Sequence, residues 1–455
     1  MKKIFPPLAP VWRALVFIFI ITLPTSAEDW PKEAFQLRDA ALKSGKGFER
    51  LAEMCDRFGH RMAGSKALED AIDWILVRLK EDGFENVHGE EVPLEPWIRG
   101  KESCVLIRPV EKPLHMLGLG GSVGTGTEAI EAECLVVRSF DELELVKDKA
   151  RGRIVVFNEP FTSYRTTVAI RVKGAVAAAK AGAVASLIRS VGPISIQSPH
   201  TGMMLYESGV KKIPHAALSV EDAEMLQRMQ DRGEKVVVKL NMEAHQGEPT
   251  RSRNVIAEIV GREKPEEIVL ISGHIDSWDV GQGAMDDGGG CLVMWEAARL
   301  MKELGLHPRR TIRLVLWTNE ENGLDGAKSY REKHRAELAR HVIALESDEG
   351  VFAPEGFNFT GSTAAMKLLQ GVIPLLRPLG AEKLGLGAGG SDIGQLLMEG
   401  VPIMDLKTAN SRYFWYHHTA ADTMDKLNET EFRKCVAATS AMIWGIAEMP
   451  TTLPR

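Results

Sequence analysis

Cysteine is scarce in this sequence. Five residues, Cys55, Cys104, Cys134, Cys291 and Cys435, stand far apart with no CxxC pair among them. That excludes a thiolate zinc finger and a fold held by a disulfide framework. The odd number leaves at least one thiol free, or paired to another molecule, in an exported chain. Cys291 falls on the apolar side of a predicted helix and reads as a small buried hydrophobe. A basic excess is missing as well. There are 56 Lys and Arg against 62 Asp and Glu, with no basic cluster alternating with aromatics, which argues against a nucleic-acid partner. The apolar run Ala14–Ile21 is shorter than the ~20 residues that span a bilayer. It follows Lys2 and Lys3 and precedes Thr25-Ser26-Ala27, a small-residue cleavage site, so residues 1–27 read as an export signal. The mature chain is then secreted or periplasmic, or lumenal in a eukaryote, and keeps no stable membrane anchor after cleavage. The glycine-rich stretch Leu117–Gly126 lacks the Lys-Ser/Thr of a phosphate loop and reads as a linker.

What the sequence does have is alternation of strand and helix patterns. Residues from Phe35 to Glu91 read as helical, broken around Arg61–Gly64 and stopped by Gly83. Residues 126–245 carry their own strands, Gly152–Phe157 and Val184–Ile188, around an alanine-rich helix. No dense set of metal-binding residues lies there, and the region reads as a small inserted α/β domain. It divides a catalytic unit into an N-terminal part, 28–125, and a main part, 246–455. In the main part, strands alternate with helices strongly, which implies an α/β fold with a mainly parallel mixed sheet flanked by helices. Ligands bind such sheets beyond the carboxyl ends of the strands.

Four segments carry chemistry. Ser272–Gly290 follows an apolar strand and places His274, Asp276, Asp286 and Asp287 in one glycine-rich loop. Glu320-Glu321 and Asp348 each follow another apolar strand, and His418 lies in a polar loop. Imidazole and carboxylate oxygen are the donors Zn²⁺ takes when thiolates are not used. Asp286, Glu321 and Asp348 with a bridging hydroxide supply four negative charges, enough to balance two divalent ions ~3.5–4 Å apart. Asp287, Glu346 and His417 are neighbours that could take the places of Asp286, Asp348 and His418.

The runs Ser272–Gly290, Arg313–Glu321, Glu346-Ser347-Asp348 and His417–Met424 are similar to those of the co-catalytic zinc exopeptidases, the group that holds bacterial leucyl aminopeptidases and glutamate carboxypeptidase. The resemblance covers nearly all of the mature chain, and the inserted region resembles a protease-associated domain. It implies two Zn²⁺ per chain, His274 and Asp348 holding one, Glu321 and His418 the other, and Asp286 bridging. It makes Glu320 the general base and Asp276 the carboxylate behind His274, and it implies a cis Asp286–Asp287 peptide. Ser391 and Asp392 resemble a turn near the family's substrate pocket, where His417 and Tyr416 would also lie. The activity implied is that of an exported exopeptidase on small peptides, dipeptides foremost. An aminopeptidase on the same scaffold and a metal-free, receptor-like binding protein are the alternatives. Relatives also suggest a homodimer.

Overall fold

A computed structural model of the chain describes Met1 and residues 32–455. The export segment therefore lies outside the described residues. No helix among the described residues is long and apolar enough to cross a membrane.

The larger of two eight-stranded sheets runs in the order Glu85–Leu94, Thr250–Ile259, Arg310–Trp317, Lys264–His274, His341–Glu346, Ile403–Thr408, Pro354–Thr360, Lys383–Leu386. Its central strand, Lys264–His274, is buried without interruption from Ile268 to His274, as a strand covered on both faces must be. Arg310–Trp317 and His341–Glu346 flank it, both parallel to it. Register places His274 beside Trp317 and Ser272 beside Glu346. The loops leaving these three strands consequently emerge together at one sheet edge. The helices Gly289–Glu303 and Glu429–Glu448 pack on each other with most of their side chains buried, and the fully buried Trp295 lies in this layer.

The helix expected to run to Glu91 ends sooner. Ser65 caps the helix Lys66–Glu81 by accepting from the Leu68 amide, and Gly83 (φ +81°) turns the chain out of it. Glu85–Leu94 is then an antiparallel edge strand on Thr250–Ile259. Its partner lies far along the sequence, so local periodicity gave no sign of it.

The second sheet is ordered Lys112–Leu114, Glu102–Arg108, Val237–Met242, Ile130–Val137, Ile154–Phe157, Ala185–Arg189, His215–Leu218, Met116–Gly118. Three strands before residue 126 belong to this sheet. Glu102–Arg108 and Met116–Gly118 pair with segments far down the chain, and Lys112–Leu114 is only three residues long, which hides them from pattern reading. Leu117–Gly126 is likewise no free linker. Met116–Gly118 pairs with His215–Leu218, and Gly120 lies so close to Trp278 that a Cβ there would sit 2.1 Å from the indole. All five cysteines are buried and unbridged.

His341 opens the strand that leads to Asp348. Its Nε2 accepts from the Tyr330 hydroxyl at 2.9 Å and its Nδ1 donates to the Glu337 carbonyl at 3.2 Å, the pattern of a neutral ring. Burial pushes its pKa down to about 4. Folded His341 thus binds fewer protons than unfolded His341 in acid. Its stabilising contribution is whole above pH 6.5 and is lost as pH falls toward 4. Urea unfolding between pH 7 and pH 4 is expected to weaken less for His341→Gln than for wild type, by up to about 3 kcal/mol. Identical slopes in the two proteins would refute a neutral buried His341.

Candidate metal centre

His274 is the last residue of the central strand, and its ring is oriented by backbone. Nδ1 lies 3.0 Å from the Asp276 carbonyl oxygen and 3.7 Å from the Asp276 carboxylate. That carboxylate does something else. It accepts the amides of Glu320 and Glu321 at 3.0 and 3.3 Å, holding the Glu pair against the end of the central strand. The support expected from the Asp276 side chain to His274 therefore comes chiefly from its main chain.

The loop back to the sheet is pinned from two directions. Asp422 accepts the amides of Met285 and Asp286 at 2.7 and 3.1 Å, and the Asp286–Asp287 peptide that follows is cis. Asp287 accepts the amides of His274 and Gly290 at 3.1 and 3.0 Å. Its carboxylate is thus spent on the backbone, while that of Asp286 faces the imidazoles. Gly290 has no room for a side chain, because a Cβ would lie 1.9 Å from the Ser347 carbonyl.

Around Asp286 the four segments meet. His274 Nε2 is 3.2 Å from Asp286 Oδ1 and 3.3 Å from Asp348 Oδ1. His418 Nε2 is 3.3 Å from Asp286 Oδ2 and 3.0 Å from Glu321 Oε2. The His417 Nε2 is farther, 3.6 Å from Asp286 Oδ2, with its ring stacked on that of His418 at 3.5 Å. Burial opposes charge on His274 and His418, yet the carboxylates of Asp348, Glu321 and Asp286 hold both imidazoles well above the ordinary histidine range. Burial raises the Glu320 carboxyl well above the carboxylate range, and the neighbouring Glu321, Asp348 and Asp276 charges add to this.

This donor set fits zinc. Asp286 Oδ2 and Glu321 Oε1 are buried without a hydrogen-bond donor, an expensive state for a carboxylate oxygen that a cation relieves. His274 and Asp348 group with Asp287, His274 groups with Glu320 and Glu321, and Asp286 groups with His417 and His418, within metal-binding reach.

A cleft of about 580 Å³ opens on these residues. Ser391 and His417 line it; Asp392 and Tyr416 do not. Asp392 is fully buried behind the turn, and Tyr416 lies beneath the Lys426 ammonium, 6.0 Å from its ring centroid. The helical turn Tyr413–Tyr416 directs Tyr413 and Phe414 to the cleft instead. Sequence reading also missed what the second sheet's unit contributes. Tyr164, Arg171, Val172, Met203 and Leu205 line the cleft. The Thr201 carbonyl lies 3.3 Å from His418 Nδ1, and the Thr201 amide donates to the His418 carbonyl at 2.9 Å. Trp278, seated against Gly120, donates its indole N–H to Glu321 Oε2 at 2.6 Å. Trp278 and Asp422 stand inside recognisable motifs; Thr201 and Arg171 carry no sequence signal at all.

Residues 254–443 match the model of peptidase family M28. Carboxypeptidase Q of Mus musculus is 47% identical over 428 residues, covering 94% of this chain and 91% of the mouse chain. The human carboxypeptidase Q is 46% identical over 430 residues, with 94% and 91% covered. The chain belongs to peptidase family M28. A solved peptidase M28 precursor from Shewanella amazonensis superposes with a TM-score of 0.89 at 36% identity, covering 93% of this chain and 98% of its own. A zinc aminopeptidase from Bacillus subtilis shares the fold, with a TM-score of 0.68 at 18% identity over 89% and 95% of the two chains. The M28 chain described here is accordingly a zinc-dependent exopeptidase of the carboxypeptidase Q type, and the receptor-like alternative is set aside.

Proposed function

We propose that this M28 enzyme hydrolyses dipeptides and other short peptides at a pair of zinc ions, removing the residue that carries the free carboxyl end. One observation carries the pairing of the ions. The two oxygens of Asp286 face different imidazoles, Oδ1 toward His274 and Oδ2 toward His418. A carboxylate so placed is built to bridge. His274 and Asp348 would hold one ion, and Glu321 and His418 the other. Zinc bound there supplies Lewis acidity toward the scissile carbonyl and lowers the pKa of the attacking water.

The protein's own groups handle the proton. Glu320 accepts it from the water at its carboxylate and delivers it to the departing amine. A carboxyl held at high pKa by burial is suited to both halves of that transfer. Asp276 positions Glu320 and Glu321 through their amides, Asp422 positions Asp286, and Trp278 orients Glu321. His417 and Ser391 contribute to the cleft wall. The second sheet's unit corresponds to the protease-associated-like insertion. The mature enzyme acts outside the cytoplasm on the strength of residues 1–27, and a homodimer rests on resemblance alone.

Metal analysis of the mature chain is expected to return two zinc ions. Blocking the carboxyl end of a dipeptide is expected to stop hydrolysis, while blocking the amino end is not. The reverse pattern would make the enzyme an aminopeptidase, and a single zinc at full activity would end the two-ion reading.

A further inference from the structure

Arg99 stands just ahead of the second sheet's strand Glu102–Arg108, and its side chain is only 10% exposed. A guanidinium at that depth needs its donors filled. Nε and one terminal nitrogen grip the Asp279 carboxylate at 2.7 and 2.5 Å, a bidentate pair. The other terminal nitrogen donates to the Gly118 carbonyl at 2.5 Å, with the Glu102 carboxylate 3.5 Å away. The guanidinium lies over the Trp97 ring, 5.0 Å from its centroid. Asp279 belongs to the loop that carries Asp286, so the pair crosses from one sheet's unit to the other.

Two lines of contact run from Arg99 to the metal centre. In the first, the nitrogen that meets Asp279 also lies 3.4 Å from the Thr201 hydroxyl, which itself donates to the Gly118 carbonyl at 2.8 Å. Thr201 is fully buried, and its main chain holds His418 at both Nδ1 and the carbonyl. In the second, Asp279 directly follows Trp278, and the Trp97 ring under Arg99 meets Trp278 edge-on at 6.4 Å. Trp278 donates its indole N–H to Glu321. Both lines end on donors of the same proposed ion, Glu321 and His418. His274 is held differently, by the Asp276 carbonyl and the Asp287 carboxylate of its own loop.

We infer that Arg99 is a positioning residue for the Glu321–His418 ion alone: paired with Asp279, it sets how tightly that ion is held, and the His274–Asp348 ion is left to the larger sheet. The inference rests on the two-ion reading of the centre. A ligand whose orientation is fixed beforehand loses less freedom when it takes up the metal, and supports behind ligands change metal affinity about ten- to hundredfold. The bidentate fork fixes the angle of the guanidinium as well as its place, which a lysine cannot do.

The test is zinc binding at buffered free zinc, in the mature chain without substrate. Wild type is expected to take up two ions. Arg99→Met, which keeps an apolar stem over Trp97, is expected to weaken one of them about ten- to hundredfold and to leave the other unchanged. Two backgrounds tell which ion moves. In Glu321→Gln, where the His274–Asp348 ion remains, adding Arg99→Met should leave zinc affinity as it was. In Asp348→Asn, where the Glu321–His418 ion remains, it should produce the full loss. Asp279→Asn should repeat this pattern, and Arg99→Lys should fall between wild type and Arg99→Met. Equal weakening of both ions, as a general loosening of the fold would give, overturns the role, as does no weakening of either or a loss seen in the Glu321→Gln background. Should Arg99→Met not fold, Asp279→Asn and Arg99→Lys decide on the same readout. A wild-type chain that holds a single zinc would instead remove the two-ion reading, so the two failures are distinguishable.

Discussion

Glu320→Gln is expected to lower kcat about a hundred- to ten-thousand-fold while KM moves little and both zinc ions stay bound. The amide keeps the size and the backbone contacts of the glutamate, including the Glu320 amide that donates to Asp276, but it cannot take up and release a proton. General acid–base groups contribute rate factors of about that size. Zinc content, measured on the same samples, separates loss of proton transfer from loss of the metal site. A variant retaining wild-type kcat would remove Glu320 from the reaction. The adjoining Glu321 gives the contrast: Glu321→Gln is a ligand change and should reduce zinc content.

Asp286→Ala is expected to have the larger structural consequence, with zinc content falling from two ions toward none and activity with it. Among the described residues its carboxylate is the one group facing both His274 and His418. Without it neither pair of remaining donors is completed, and two cations at close range lose the anion between them. Zinc binding that favours the folded chain stabilises it by about 4 kcal/mol at a thousandfold excess over Kd. Thermal unfolding of Asp286→Ala should therefore resemble that of chelated wild type and should not respond to added zinc. Retention of two zinc ions by Asp286→Ala would dismiss the bridging assignment.

Of the proposed ligands, His274, Glu321 and Asp348 were legible in the sequence because each ends or closely follows a strand with a strong apolar run. Lys264–His274, Arg310–Trp317 and His341–Glu346 each carry a short apolar run and are separated by helices, so their parallel pairing and common exit edge follow from general rules of α/β sheets. His418 needed resemblance to tell it from His417, and the distances to Asp286 favour the same residue. Edge strands were not legible. Glu85–Leu94, Glu102–Arg108 and Met116–Gly118 depend on partners about a hundred residues or more away, and Lys112–Leu114 rests on Glu102–Arg108 alone. Arg171 was hidden for a different reason. It sits within an alanine-rich helix, and nothing local marks a side chain that reaches the cleft.

The reciprocal hydrogen bonds between Thr201 and His418 have a consequence for any attempt to simplify the enzyme. His418, the proposed zinc ligand, is steadied by a carbonyl from the other sheet's unit, and the tryptophan that donates to Glu321 rests on that unit's Gly120. Pruning the molecule to a minimal protease would therefore leave a fold with slack zinc chemistry. Transplanting a foreign module would succeed only if its loops reproduced those two touchpoints.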